Sequence, residues 1–460
     1  MAKDKLKLKS SRKLKVVESI VEGQGAPSLP AYFMALRVEN VKCFGPEQTL
    51  DLSNGAGRPA PWTIILGNNG VGKTTLLQSL VAITPSRRMR PETYPFASDP
   101  RFQGQLLRSG KRQYTLYADF LVNTKLTEVD GRNVLNFWVE RYREPSPVVA
   151  ISNPVSRQVM TEFPCFGYGA TRRMGEATLS EGISDDPFAS LFSDRVELLN
   201  AEEWLLQADY AAHAGSNAAT RKRAEKRRDE IKDILINLLP DVDDIKFTQI
   251  TEKQTKPGVE VKTPYGWVSI KDLSLGYKTL IAWMVDLASR MFERYPDSKN
   301  PLAEPAVVLV DEIDLHLHPK WQRTLMSYLS ERFPNTQFIA TAHSPLVVQA
   351  ASDANVVLLR REGDHVVIDN NVKDIHGWRV DQILTSDLFG LESARPPQLD
   401  PLLAERMKIL SKSRLTKKDK ARLEEIEAEI GALPTGETPE DMEAMDVIRR
   451  AAEHLKAQGF

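Results

Sequence analysis

The chain has 460 residues, too many for one ordinary core, and implies about two to four structural units. Its 61 Lys and Arg against 62 Asp and Glu leave a net charge of -1, which excludes a polycation of the histone kind and confines any nucleic-acid surface to a local patch. Two cysteines, Cys43 and Cys165, are too few for a disulfide framework or a zinc site of CxxC spacing, so a reducing compartment is expected.

Residues 1–31 join a basic run to the Gly/Pro/Ser segment Glu22–Pro30 and read as a disordered basic arm without the apolar stretch of a secretory signal. No segment approaches the about 18 uncharged apolar residues of a membrane helix, so a cytoplasmic protein with no membrane partner is expected. Residues 32–190 read as a first α/β lobe. Its alternating runs Phe33–Val41 and Thr49–Leu52 precede a buried strand, Trp62–Leu66, and a helix from near Lys73. Further alternation follows at Gln113–Val122 and Val134–Arg141.

Residues 191–245 carry no strand signal. The charged run Arg221–Glu230 leads into apolar Ile231–Leu239, a helical insertion far too short for a long heptad-patterned arm. Residues 246–376 resume with strands at Lys246–Ile250 and Gly258–Lys262, a helix from about Lys278, the strand Ala306–Val310, a helix from Lys320 and the strand Gln337–Ala340. That alternation predicts a second, parallel-sheet lobe. Residues 377–460 read as a helical C-terminal module, with a charge-rich Lys412–Ile430 and a final helix near Glu440–Lys456.

Four constellations carry chemistry. Gly67-Asn68-Asn69-Gly70-Val71-Gly72-Lys73-Thr74, followed by Thr75, fits GxxxxGK[ST] after a strand and before a helix, the context in which backbone N–H groups cradle phosphates. Lys73 suits the β and γ phosphates of ATP, and Thr74 suits Mg²⁺. The strand Val307–Val310 delivers Asp311 and Glu312 together. Side by side, these carboxylates serve different roles only if a metal neutralises one, so Asp311 is assigned to Mg²⁺ and Glu312 to the attacking water.

Leu273-Ser274-Leu275-Gly276 opens an apolar-periodic helix. Its anion-receiving start is redundant beside a P-loop unless it serves the ATP of another copy; taken alone it is an ordinary helix cap. The strand Phe338–Thr341 ends at His343, placed to sense or polarise the γ-phosphate region. His316 and His318 have metal-like spacing but no evident third ligand, and are taken as part of a dimer-facing loop.

Read in order, these motifs resemble the ABC/SMC ATPases: P-loop (Walker A), LSxG signature, Walker B and switch histidine. The run Leu309–Trp321 with Ala342-His343-Ser344-Pro345 is similar to stand-alone ATPases of bacterial anti-phage defence, the OLD, PtuA and AriA group, with RecF more distant. The resemblance spans Leu36 to about Ile368. It implies an α/β, two-lobed ATPase head with catalytic Glu312 and His343, a nucleotide set reaching Ser274 and Gly276 across a homodimer or higher oligomer, and Mg²⁺ on Thr74 and Asp311. It further implies a separately encoded nuclease or toxin subunit, with DNA as a further partner. The alternative is a RecF-like ATPase that clamps DNA. The Q-loop glutamine of the family cannot be placed among Gln103, Gln105 and Gln113, and Phe166–Arg173 lies where a nucleotide-proximal strand is expected. No Toprim pattern is evident between Ser344 and Phe460, so an intrinsic nuclease is not expected.

Overall fold

The computed structural model of the chain describes residues 31–84, 105–122, 134–142, 163–176, 186–249 and 256–430, except 352, 373, 374, 376, 392, 413 and 414. The basic arm, Gln103 and the helix expected at Glu440–Lys456 lie outside the described residues.

Thirteen strands among these residues form three sheets. The central one runs β13 (His365–Asp369), β12 (Asn355–Glu362), β3 (Trp62–Gly67), β11 (Thr336–Thr341), β10 (Ala306–Val310), β6 (Cys165–Tyr168). All its pairings are parallel except the β12–β13 edge. Strands buried on both faces should be continuously apolar, and β10 is Ala-Val-Val-Leu-Val with every residue buried. Ala306, Val308 and Val310 enter one core while Val307 and Leu309 enter the other. The sheet therefore divides the molecule.

On one face lie α1 (Lys73–Ile83) and the antiparallel sheet β2 (Gln48–Asp51), β1 (Ala31–Glu39), β4 (Gln113–Val122), β5 (Val134–Tyr142). Buried Gln337 of β11 ties the two sheets: its side-chain oxygen accepts from Phe33 N and its amide donates to Phe33 O, both at 2.9 Å. After the short turn α2 (Ala189–Phe192), the other face packs α3 (Ala201–Ala214), α4 (Ala218–Leu238), α5 (Leu275–Arg294) and α6 (Pro319–Arg332).

Two local differences from the expectation have clear causes. The runs near Lys246 and Gly258 do not join the parallel sheet; β7 (Asp244–Thr248), β8 (Gly258–Thr263) and β9 (Gly266–Ser269) make an antiparallel sheet of their own, because short connections favour hairpins. The helix expected from about Lys278 starts at Leu275, since Ser274 with extended φ/ψ takes the N-cap. Beyond α7 (Pro345–Ala350) and α8 (Val380–Leu384), two more helices lie among the described residues up to 430. There α9 (Asp400–Leu410) and α10 (Lys417–Ile430) are joined by a two-pronged Arg422–Glu405 pair of 2.8 and 2.9 Å.

Candidate functional site: a phosphate loop joined to two carboxylates

β3 ends and α1 begins around a loop in which Gly67, Gly70 and Gly72 all have positive φ. Gly72 is the most constrained: a Cβ there would sit 2.4 Å from Cys43 Sγ on a backbone with φ +92. Cys43 and Cys165 are free thiols. Asn68, Asn69 and Gly70 stand exposed at the tip, and Thr75 is buried behind them. Lys73 is buried, and its Nζ donates to Gly67 O at 2.8 Å and Asn68 O at 3.1 Å. Burial pulls its pKa below the ordinary lysine value, against the opposing pull of Asp311, Glu312 and Asp314.

The two sequence-distant halves meet here. Thr74 Oγ1 donates to Asp311 Oδ2 at 2.7 Å, and Thr341 Oγ1 donates to Asp311 Oδ1 at 2.6 Å. The Thr341 hydroxyl also accepts from Glu312 N at 2.7 Å. Glu312 has φ 47, and its carboxylate has no hydrogen-bond partner among the described residues. A hydroxyl and a carboxylate in contact are hard oxygen donors of the kind Mg²⁺ takes, so Thr74 and Asp311 fit the ion assigned to them.

Sequence reasoning gave no role to Arg172, whose guanidinium donates to the main-chain oxygens of Asp311 and Glu312. No residue-type signal could have found it, because contacts to backbone carbonyls leave no partner side chain to read.

The signature end is arranged differently. Ser274 is exposed and its hydroxyl makes no capping bond to α5. A Cβ on Gly276 would meet His316 O at 2.5 Å, which packs the first turn of α5 against the loop following Asp311. His343 is exposed; its N–H donates to the Asp314 carboxylate at 3.1 and 3.2 Å, and its ring has no hydrogen-bond partner among the described residues. Among those residues no hydrogen bond joins Ser274 or Gly276 to Lys73 or Thr74. His318 caps α6, accepting from Lys320 N at 3.3 Å, and no cluster of three or more His, Cys, Asp or Glu able to hold a metal occurs among the described residues. Gln105 and Gln113 are exposed and make no hydrogen bond to the site among the described residues.

The basic run on α4, a candidate for DNA, is largely engaged within the chain. Arg221 donates to Gly215 O, Lys226 to Lys299 O, Arg227 to Phe292 O and Arg228 to Asp209. No helix among the described residues is long and apolar enough to cross a membrane.

Residues 35–174 match the family described as an AAA domain, and residues 169–349 match the one described as "AAA domain, putative AbiEii toxin, Type IV TA system". Septu protein PtuA of Bacillus mycoides (strain KBAB4) is 27% identical over 358 residues, 75% of this chain and 43% of the relative. The Retron Vc95 probable ATPase of Vibrio cholerae serotype O1 biovar El Tor is 36% identical over 147 residues, 31% of this chain and 27% of the relative. This chain thus spans less than half the length of either. The Smc head bound to the C-winged helix domain of ScpA covers 73% of this chain and 96% of its own at 14% identity and a TM-score of 0.45. The chain is thus similar to AAA domains across residues 35–349 and, over part of its length, to the Septu and retron proteins.

Proposed function

We propose that the chain binds and hydrolyses Mg-ATP, assembles through ATP-sandwich dimers, and gates a separately encoded nuclease or toxin effector in anti-phage defence. The observation that carries the ATPase reading is the 2.7 Å bond from Thr74 to Asp311, which unites the P-loop with the paired carboxylates across 237 positions of sequence.

In this reading the backbone of Gly67–Gly72 cradles the phosphates, and Lys73 leaves its loop carbonyls to meet the β and γ oxygens. Thr74 and Asp311 hold Mg²⁺, which when bound neutralises charge developing on the transferred group. Glu312, with its carboxylate uncommitted, orients and deprotonates the attacking water, and His343 faces the γ-phosphate region. Ser274 and Gly276 receive the phosphates of a second copy's ATP, a use supported by a hydroxyl not spent on its own helix. The defence setting is drawn from the likeness to Septu and retron proteins, and the separate effector extends that reading. The DNA-clamp alternative has no comparable support, since most of the α4 basic run is satisfied internally.

Glu312→Gln tests the assignment. ATP affinity should persist while turnover falls by about 100-fold or more, the contribution of a general base, and the protein should accumulate in its assembled state on size exclusion with ATP. Loss of ATP binding, or unchanged turnover, would overturn the roles given to the pair.

A further inference from the structure

We propose that Arg172 is a positioning residue for hydrolysis: from behind the site, its guanidinium fixes the Asp311–Glu312 corner that aims the water-activating carboxylate. The inference rests on the ATPase reading above and adds to it a residue that none of the four motifs contains.

The observations are geometric. Arg172 is 1% exposed, among the largest wholly buried side chains of the protein. One of its terminal nitrogens donates to Asp311 O at 2.6 Å and Gly169 O at 3.1 Å, the other to Glu312 O at 2.9 Å. Its Nε has no partner among the described residues, so the orientation is set by the two terminal nitrogens alone. No carboxylate among those residues is paired with it directly. Burial lowers its pKa to about 10, while Asp311, Asp314 and Glu312 act on it from a distance in the opposite sense.

A cation buried against neutral carbonyls is a poor way to fill space, since an apolar side chain would pack there without desolvation. What it supplies is a rigid fork spanning two successive carbonyls, and the second belongs to a residue in a conformation that L side chains rarely adopt. Glu312 has φ 47, and Arg172 itself has φ 37. Such conformations persist only where the surroundings over-determine them. Thr341 accepts from the Glu312 N–H, and Arg172 donates to the oxygens of the peptides before and after Glu312. Between them the corner cannot rotate.

The back of the clamp is the signature helix. The guanidinium lies over the ring of Trp283, 5.5 Å from its centroid, and Trp283 is fully buried in α5, the helix that begins at Leu275. The corner that orients Glu312 is thereby braced by the helix whose first turn faces the second copy.

Lysine has one compact donor head in place of two separate terminal nitrogens, so it cannot reproduce the fixed spacing of the fork on Asp311 O and Glu312 O. Arg172→Lys should fold with an unchanged melting profile and bind a fluorescent ATP analogue within about threefold of the parent, while kcat falls about a hundredfold, the cost of a misplacement near 1 Å. Arg172→Ala should lose turnover likewise and regain part of it in low millimolar guanidinium chloride, but not in sodium chloride of equal ionic strength. A Lys variant with parental kcat overturns the proposal. So does a loss of ATP affinity in step with kcat, or failure of both variants to fold, because each marks a purely structural strut. Parent and Glu312→Gln are assayed alongside. Equal turnover in those two would sink the role of Glu312 whatever Arg172 does, and an inactive parent would remove the reading and this inference together.

Discussion

The P-loop–carboxylate junction and the signature end make the same kind of phosphate-seeking surface and finish it in opposite ways. At the junction, Lys73, Thr74, Asp311, Thr341 and Arg172 are each hydrogen-bonded, and all but Thr74 are buried. At the signature end, Ser274 has an unspent hydroxyl, Leu275 is 54% exposed and the His343 ring has no partner among the described residues. A site built to work alone would satisfy both ends within one chain. Here one end is largely bonded within the chain, the Glu312 carboxylate excepted, and Ser274 and Leu275 at the other are exposed.

The largest effect should come from breaking the internal end. Gly72→Ala forces a side chain onto a φ of +92 and into Cys43, and the atom it strikes is itself held to Val71 O at 3.4 Å. The loop must shift, and the backbone N–H groups that cradle phosphate shift with it. We expect loss of measurable ATP binding by calorimetry in a chain that still folds; parental affinity would show that the loop tolerates the displacement and that the cradle lies elsewhere.

The contrast also explains what was legible in the sequence. β3, the P-loop, α1 and β10 with Asp311 and Glu312 are readable because each combines an apolar period with residue types that have few other uses. The roles proposed for Ser274 and His343 rest on motif order alone, since a lone serine cap or exposed histidine means little. Four features stayed hidden. Arg172 works through backbone oxygens, Gln337 staples two sheets through the main chain of Phe33, and β7–β9 form a separate sheet whose strands look no different from those that join the central one. In each case the deciding partner is backbone or register, and neither has a residue-type signature. The left-handed turn at Glu312 is hidden for the same reason.

A smaller effect sharpens the outward half of the comparison. Lys73→Ala and Ser274→Arg chains should each be inactive alone. In a two-fold dimer of the two, one site regains an intact P-loop facing an intact signature while the other carries both defects. With random exchange, half the dimers are mixed and each has one good site, so about a quarter of parental turnover should return. If both sites must fire together, ATP-dependent dimerisation should recover without turnover. Ser274→Arg hydrolysing normally by itself, or mixing that restores neither property in chains shown to exchange, would return Ser274 to the role of a helix cap.

The smallest effect concerns charge, where the same distinction between internal and presented groups applies within a single helix. Of the basic residues between Arg221 and Arg228, Arg221, Lys226, Arg227 and Arg228 are held by Gly215 O, Lys299 O, Phe292 O and Asp209, and Arg227 also lies over the Phe292 ring at 5.3 Å. Lys222 and Arg223 make no such bond among the described residues and are exposed. If the chain touches DNA through α4, these two can neutralise phosphates with every side-chain donor still uncommitted among the described residues. Replacing both with Ala should leave the melting temperature unchanged and reduce the salt slope of DNA affinity by about 2, close to 0.9 for each phosphate left without its cation. Replacing Arg227 and Arg228 should instead lower the melting temperature, because Arg227 packs on α5 and Arg228 joins α4 to α3. A salt slope unchanged by the Lys222/Arg223 pair would assign these residues to solvated surface and place any DNA-binding surface outside α4.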